Sequence, residues 1–268
     1  MVKSLAIGHF DGLHLGHREL FKKLGENGGV LIIENDNPKL TPKREEFITL
    51  PIFYKHIDEV RKLSGEEFVL SLMSEFEELE LIVVGYDFKF GYKKSSSADD
   101  LKRFFKGRVE VVDEVFYNDI SVHTTKIREL LKNGEAKKAS ILLGRNYAIK
   151  GRVVSGQGIG KKELFATLNL EAKNYFLPKE GVYATLAYVK NKVYKSVTFV
   201  GHRVSTDSKF SIETHILEEF SEEASELTVE FIEFIRDNAK FDDLAKLRAQ
   251  ILDDIKKASE ILNQIEKV

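Results

Sequence analysis

Short apolar runs punctuate the first half of the chain, Ser4-Leu5-Ala6-Ile7, Val30-Leu31-Ile32-Ile33 and Leu81-Ile82-Val83-Val84, and Val109-Glu110-Val111-Val112 reads as a further strand. Runs of this length, bounded by turns such as Gly25-Glu26-Asn27-Gly28-Gly29, suit strands buried on both faces. Residues 18–24, 99–106, 124–131 and 136–143 are helix-forming, and 41–74 reads as mostly helical, with Phe68, Leu72 and Phe76 recurring at core spacing. Strands alternating with helices predict a parallel, doubly wound α/β sheet.

Beyond Gly144-Arg145-Asn146-Tyr147 the pattern changes. Residues 147–154, 182–189, 193–200, 210–217 and 227–235 are strand-like and joined by short turns such as Lys190-Asn191-Lys192. Successive short strands predict a small antiparallel β-barrel. Leu244, Leu247, Ile251, Ile255, Ala258 and Leu262 then recur at spacings of three and four. They predict one amphipathic helix over 242–266, packed on the barrel. The expected organisation is a domain over 1–144 and a second over 145–268 with a C-terminal helix. The acidic cluster Glu218, Glu219, Glu222, Glu223 and Glu226 reads as a solvated loop.

Composition narrows the chemistry. The 268 residues are 43% hydrophobic and 31% charged, with a formal net charge of -2. No global basic field draws the chain to nucleic acid or anionic lipid. Cysteine is absent, which excludes disulfides, thiolate catalysis and cysteine-ligated metals. Met1-Val2-Lys3-Ser4-Leu5 leads into the first strand without a long apolar region, so no signal peptide is expected. No apolar run is long enough to span a bilayer. A cytoplasmic protein is expected, monomeric or weakly oligomeric, with no nucleic-acid or membrane partner.

The candidate chemistry centres on Gly8-His9-Phe10-Asp11-Gly12-Leu13-His14-Leu15-Gly16-His17. It lies between the first apolar run and the first helix, so it reads as strand, tight loop and helix N-terminus. Unpaired amides and the positive dipole end suit a phosphate there, and His14 and His17 can both reach its charge. Gly8, Gly12 and Gly16 allow the backbone to bend and approach a ligand. A second glycine-bounded turn, Gly85-Tyr86-Asp87-Phe88-Lys89-Phe90-Gly91, follows the third run, and Asp87 offers an acceptor. Thr124 or Thr125 serves as an N-cap for the helix through Leu131. Gly156-Gln157-Gly158-Ile159-Gly160-Lys161-Lys162 is a flexible basic loop. In a strand over 211–217, Glu213 and His215 share one face.

These stretches resemble, nearly end to end, the prokaryotic bifunctional FAD synthetases, the riboflavin kinase/FMN adenylyltransferases. His14-Leu15-Gly16-His17 is similar to the His-Xaa-Gly-His signature of nucleotidylyltransferases, and the Gly-Xaa-Phe-Asp-Gly opening narrows it to this family. The resemblance implies attack of an FMN phosphate oxygen on the α-phosphorus of ATP, with His14 and His17 at the triphosphate. It places Gly8, Phe10, Asp11, Gly16, Asp87, Thr124, Thr125 and Arg128 at the nucleotide. The rings of Phe10, Phe88 and Phe90 read as packing. The family usually has Ser at His123 and often Arg at Ser121, so His123 or Lys126 would supply the missing charge. Near 35–39 only Pro38 survives of the family pattern.

For the second half the resemblance implies phosphorylation of riboflavin. Gly160 and Lys161 would bind nucleotide, and Thr167 and Asn169 would hold Mg2+ of ATP. Glu213 would take the proton from the ribityl hydroxyl, and Arg236 would lie near the flavin. Leu164 and Ala166 replace the family's Gly and Pro, and Phe199 and Val204 replace Asn and Pro. The expected function is bifunctional: riboflavin to FMN, then FMN to FAD, using Mg-ATP twice. The alternatives are an FMN adenylyltransferase with a degenerate flavin-binding barrel, a non-catalytic flavin or nucleotide sensor, and a nucleotidylyltransferase with another phosphorylated acceptor.

Overall fold

A computed structural model describes residues 1–154, 166–204 and 208–265. The chain divides into two compact units, Met1–Thr124 and Thr125–Val268. In the first, β1 (Ser4–Gly8), β2 (Gly28–Glu34), β3 (Ile52–His56), β4 (Leu81–Gly85) and β7 (Arg108–Val112) form one five-stranded sheet. Its order is β3-β2-β1-β4-β7, and every pair is parallel. The chain winds outward one way from β1 and then returns to its other side. The order therefore reverses between β1 and β4, where α/β sheets open a crevice beyond the strands' carboxyl ends.

Alternation along the strands sorts the core into two layers. Leu5, Ile7, Leu31, Ile82 and Val84 pack with Phe68, Leu72 and Leu101. The last three come from α3 (Gly65–Glu75) and α4 (Ala98–Phe104). Ala6, Val30, Ile32 and Val83 face the other way, against Phe10, Leu13 and Leu20, the last on α1 (Leu15–Phe21). The α3 helix starts at a reciprocal cap: Glu67 N donates to Ser64 Oγ at 3.2 Å and Ser64 N to a Glu67 carboxylate oxygen at 2.7 Å.

The reading of 41–74 as mostly helical is corrected. It holds a 3-10 turn at Arg44–Glu46, the strand β3, a single turn α2 (Ile57–Val60) and only then α3. Ile52-Phe53-Tyr54 is a β-branched and aromatic run, but as an edge strand it is half-exposed and lacks the apolar continuity of its neighbours. Two small hairpins also went unseen in the pattern: β5 with β6 (Lys89–Phe90, Ser96–Ser97), and β8 with β9 (Phe116–Tyr117, Ile120–Ser121).

In the second unit, six strands close a barrel in the order β10-β11-β14-β13-β12-β15. They are β10 (Tyr147–Val154), β11 (Leu168–Glu171), β12 (Gly181–Val189), β13 (Lys192–His202), β14 (Phe210–Ile216) and β15 (Glu226–Asp237). The β10–β15 ladder closes the ring, and all pairings are antiparallel. The short β11 was absent from the sequence pattern.

Inside the barrel, buried hydroxyls satisfy one another. Thr185 Oγ1 lies 2.7 Å from Ser196 Oγ and 2.8 Å from Thr198 Oγ1, which lies 2.9 Å from Thr214 Oγ1. The C-terminal helix (Leu244–Ile265) sets Ala258 and Leu262 against Val182, Ala184 and Val197 on the barrel's outer face. Two further helices, α5 (Thr124–Lys132) and α6 (Ala136–Leu143), precede the barrel, and Gly144 ends α6 in the left-handed region at φ 68°. Among the described residues, no helix is long and apolar enough to cross a membrane.

Candidate active sites

The loop after β1 is built around three left-handed residues, Phe10 (φ 47°), Gly12 (φ 87°) and Leu13 (φ 46°). For a non-glycine residue that conformation costs about 1 kcal/mol or more and needs surrounding contacts to hold it. Phe10 and Leu13 supply them by burial in the core below the loop. Asp11 joins in: its buried carboxylate accepts the backbone N–H groups of Leu40 at 2.8 Å and Thr41 at 3.3 Å. Its carbonyl accepts the Thr124 hydroxyl at 3.0 Å. Asp11 thereby ties the loops after β1 and β2 to the segment that enters α5.

Thr124 is the first residue of α5, so its hydroxyl clamps the histidine loop instead of capping that helix. The glycines also have a physical role other than approach to a ligand. A Cβ at Gly8 would stand 3.1 Å from the Phe10 ring, and one at Gly16 would stand 3.2 Å from His14 Nδ1. Both positions lack side chains because rings occupy the space.

His14 is the N-cap of α1, and its Nδ1 accepts the His17 N–H at 3.3 Å. That acceptance puts the ring proton on Nε2. It also takes one first-turn amide, so Leu15 and Gly16 carry the two that the cap does not use. The His14 and His17 rings stack, with centroids 3.5 Å apart and 20° between planes. Phe10 meets His17 edge-on at 5.2 Å. Burial pushes the His17 imidazole well below its ordinary range, and His14, Arg44, His9 and His123 add repulsion of the charged form. Its Nδ1 is out of solvent contact and has no hydrogen-bond partner among the described residues.

Arg44 was not singled out by the sequence. It is 1% exposed, donates Nε to the Phe10 carbonyl at 3.2 Å, and pairs through Nη1 with Glu34 at the end of β2. Lys39, also buried, lies 3.6 Å from the other Glu34 oxygen. A basic residue inside a segment read as mostly helical carries no signal of burial.

At the end of β4, Asp87 is exposed and Tyr86 is drawn into a polar cluster. Tyr86 Oη lies 2.6 Å from His123 Nε2, which lies 3.1 Å from Glu114 Oε1, and Ser121 Oγ donates to that oxygen at 2.5 Å. Burial and the Glu114 carboxylate push the Tyr86 phenol up to about 12. Hydrogen bonds from Ser121 and His123 hold Glu114 below the usual carboxylate range. Phe88 stacks on Phe90 at 5.4 Å, and both pack in the core, as expected. Thr125 is exposed in α5, Arg128 lies over the Phe176 ring at 5.0 Å, and Lys126 pairs with Glu129 at 3.0 Å.

The barrel presents a second group of polar residues. Asn169 on β11 pairs directly with Glu213 on β14, and Phe199 on β13 pairs with Glu213 from the other side. Directly opposed residues share a face, so the three stand in a row across three strands. Thr167 precedes Asn169 by one strand period. Arg203 Nη1 donates to Glu213 Oε1 at 3.3 Å, and the Ala166 carbonyl lies 2.8 Å from His215 Nδ1. Phe199 packs into the cluster under the C-terminal helix, a place that suits its apolar ring.

Arg236 makes a bidentate pair with the buried carboxylate of Asp254 on that helix, at 2.8 and 2.7 Å, and donates to the Asp237 carbonyl at 2.9 Å. Gly160, Lys161 and the rest of the basic loop lie outside the described residues.

Comparison with known proteins matches two families in succession. Residues 33–126 match the FAD synthetase family and 143–262 the riboflavin kinase family. The bifunctional riboflavin kinase/FMN adenylyltransferase of Buchnera aphidicola subsp. Acyrthosiphon pisum is 28% identical, over 94% of this chain and 90% of that protein. The protein of the same name from Listeria monocytogenes is likewise 28% identical, over 94% and 90%. The crystal structure of a macrolide-efflux protein from Streptococcus pneumoniae shares the fold, with a TM-score of 0.81. It is 24% identical, with 96% of this chain and 94% of that one covered.

Proposed function

We propose that this chain, which belongs to the bifunctional riboflavin kinase/FMN adenylyltransferase family, phosphorylates riboflavin to FMN and adenylylates FMN to FAD. ATP is the substrate of both steps, and FMN and FAD are the products. The observation that carries the reading is the succession of two sites. Stacked imidazoles stand at the switch point of a parallel sheet, and a carboxylate faces an amide on the outer wall of a barrel.

In adenylyl transfer, an FMN phosphate oxygen attacks the α-phosphorus of ATP and pyrophosphate leaves. The nucleophile is already an anion, so the protein's task is to position it and neutralise charge. His14 Nε2–H, the Leu15 and Gly16 amides and the His17 ring would face the triphosphate. Gly8, Phe10, Asp11 and Gly16 shape the loop that presents them. Asp87, Thr124, Thr125 and Arg128 complete the proposed nucleotide set, with Thr124 acting through its clamp on Asp11.

In the kinase step, the ribityl 5′-hydroxyl attacks the γ-phosphorus, Glu213 accepts the hydroxyl proton, and ADP departs. Thr167 and Asn169 would hold Mg2+ there. A hydroxyl, an amide oxygen and a nearby carboxylate are a hard-oxygen set, which suits an ion that keeps waters and substrate phosphates. When bound, that ion would neutralise charge on the ATP phosphates. Arg203 holds Glu213 in place. Arg236, assigned to the flavin by the family likeness, would act with its guanidinium already oriented by Asp254. Gly160 and Lys161 complete the proposed nucleotide contacts.

The reading includes a cytoplasmic protein, monomeric or weakly oligomeric, with no nucleic-acid or membrane partner, and functional domains over 1–144 and 145–268. Incubation with ATP, Mg2+ and either riboflavin or FMN, followed by chromatography, tests it. FMN and FAD are expected. FAD from FMN without FMN from riboflavin would leave an adenylyltransferase with a flavin-binding barrel, and flavin binding without product would leave a sensor.

A further inference from the structure

We propose that His123 is a third imidazole of the phosphate site, with Glu114 and Tyr86 as the residues that position it for the polyphosphate of ATP and the pyrophosphate it releases. This rests on the adenylyl-transfer reading above. Both neighbours of His123 touch the histidine loop. The Val122 carbonyl oxygen stands 3.4 Å from where a Cβ at Gly16 would be, and Thr124 donates to the Asp11 carbonyl at 3.0 Å. His123 therefore stands in the chain between two residues that contact the loop carrying His14 and His17.

Two polar side chains hold the ring. Its Nε2 lies 3.1 Å from Glu114 Oε1 and 2.6 Å from Tyr86 Oη. A carboxylate only accepts, so Nε2 carries the proton and Nδ1 is the nitrogen left for a ligand. Ser121 fixes the same Glu114 oxygen, and Tyr86 directly follows β4, the strand beside β1 at the reversal of strand order. The cluster thus lies at the carboxyl ends of the strands, the edge at which open α/β sheets bind ligands. With a proton on Nδ1 as well, the ring donates a charge-assisted hydrogen bond to a phosphate oxygen.

The experiment is calorimetric titration of the full chain with inorganic pyrophosphate, for the native protein and for His123→Gln, Glu114→Gln and Tyr86→Phe. FAD formation from FMN and FMN formation from riboflavin are followed in parallel. His123→Gln should weaken pyrophosphate binding by about tenfold, the scale of one charge-assisted hydrogen bond. Tyr86→Phe removes one hydroxyl and leaves the fold; it should raise KM for ATP by a smaller factor and leave both KM for FMN and FMN formation unchanged. Unaltered pyrophosphate affinity in His123→Gln, or no pyrophosphate binding by the native chain, overturns the inference. So does an effect of Tyr86→Phe that persists in the His123→Gln background. A native chain that binds pyrophosphate but makes no FAD leaves the site assignment standing and refutes the reaction instead.

Discussion

Asn169 and Glu213 face each other directly in the antiparallel pairing of β11 with β14, forty-four positions apart in sequence yet neighbours on one wall of the barrel. Such a pairing sets an amide and a carboxylate side by side on one face without any loop to order. Arg203 fixes the carboxylate from the next strand's end. Glu213→Gln keeps shape and removes the proposed base. FMN formation from riboflavin should fall by about 10²–10⁴-fold, the usual worth of a positioned base, while FAD formation from FMN persists. Loss of both activities in a folded variant would show that the two sites are not separate.

The converse concerns the stacked pair. His14→Ala removes the α1 cap as well as a ring, and His17→Ala removes only the ring. Each should lower FAD formation by about 10²–10³-fold, the cost of losing a preorganised donor, and spare FMN formation. The cap adds about 1 kcal/mol of destabilisation for His14→Ala alone, readable as a lower denaturant midpoint.

The depressed His17 imidazole has a pH signature. Its ordinary value is 6.5, and burial holds the folded-state value well below that. Between the two values the unfolded chain binds more protons, so the contribution to stability is present above pH 6.5 and lost as pH falls through the window. The urea midpoint of the ligand-free protein should drop on acidification, and the drop should be shallower in His17→Asn. ATP reverses the electrostatics around the rings. Binding should take up protons, seen as a buffer-dependent heat in calorimetry.

Arg44 anchors the strained loop through the Phe10 carbonyl and balances Glu34. Arg44→Leu leaves that carboxylate to Lys39 alone and frees the loop. It should cost about 1.5–3 kcal/mol in urea unfolding, the scale of a hydrogen bond to a charged group. FAD formation should fall with it. FMN formation, measured where the variant is folded, should not change.

The parallel sheet was legible because its central strands are buried on both faces and so read as continuous apolar runs. The barrel was legible because its longer strands are separated by turns. The edge strand β3 was missed because one side of it meets solvent. The four-residue β11 was missed because its partners, not its composition, make it a strand.

His14 and His17 could be proposed from a contiguous motif between strand and helix, and Thr167, Asn169 and Glu213 from contiguous stretches that resemble the family. What surrounds them could not. Arg44 beneath the loop, the Glu114–His123–Tyr86 cluster, Asp254 on Arg236 and Arg203 on Glu213 all join residues that no single contiguous motif contains. Chain order therefore determined the central strands, the longer barrel strands and the C-terminal helix through periodicity, and it offered the residues proposed for the chemistry. The tertiary structure alone decided the partner of each charge and the tautomer of each ring, because burial and hydrogen bonding depend on what folding brings alongside.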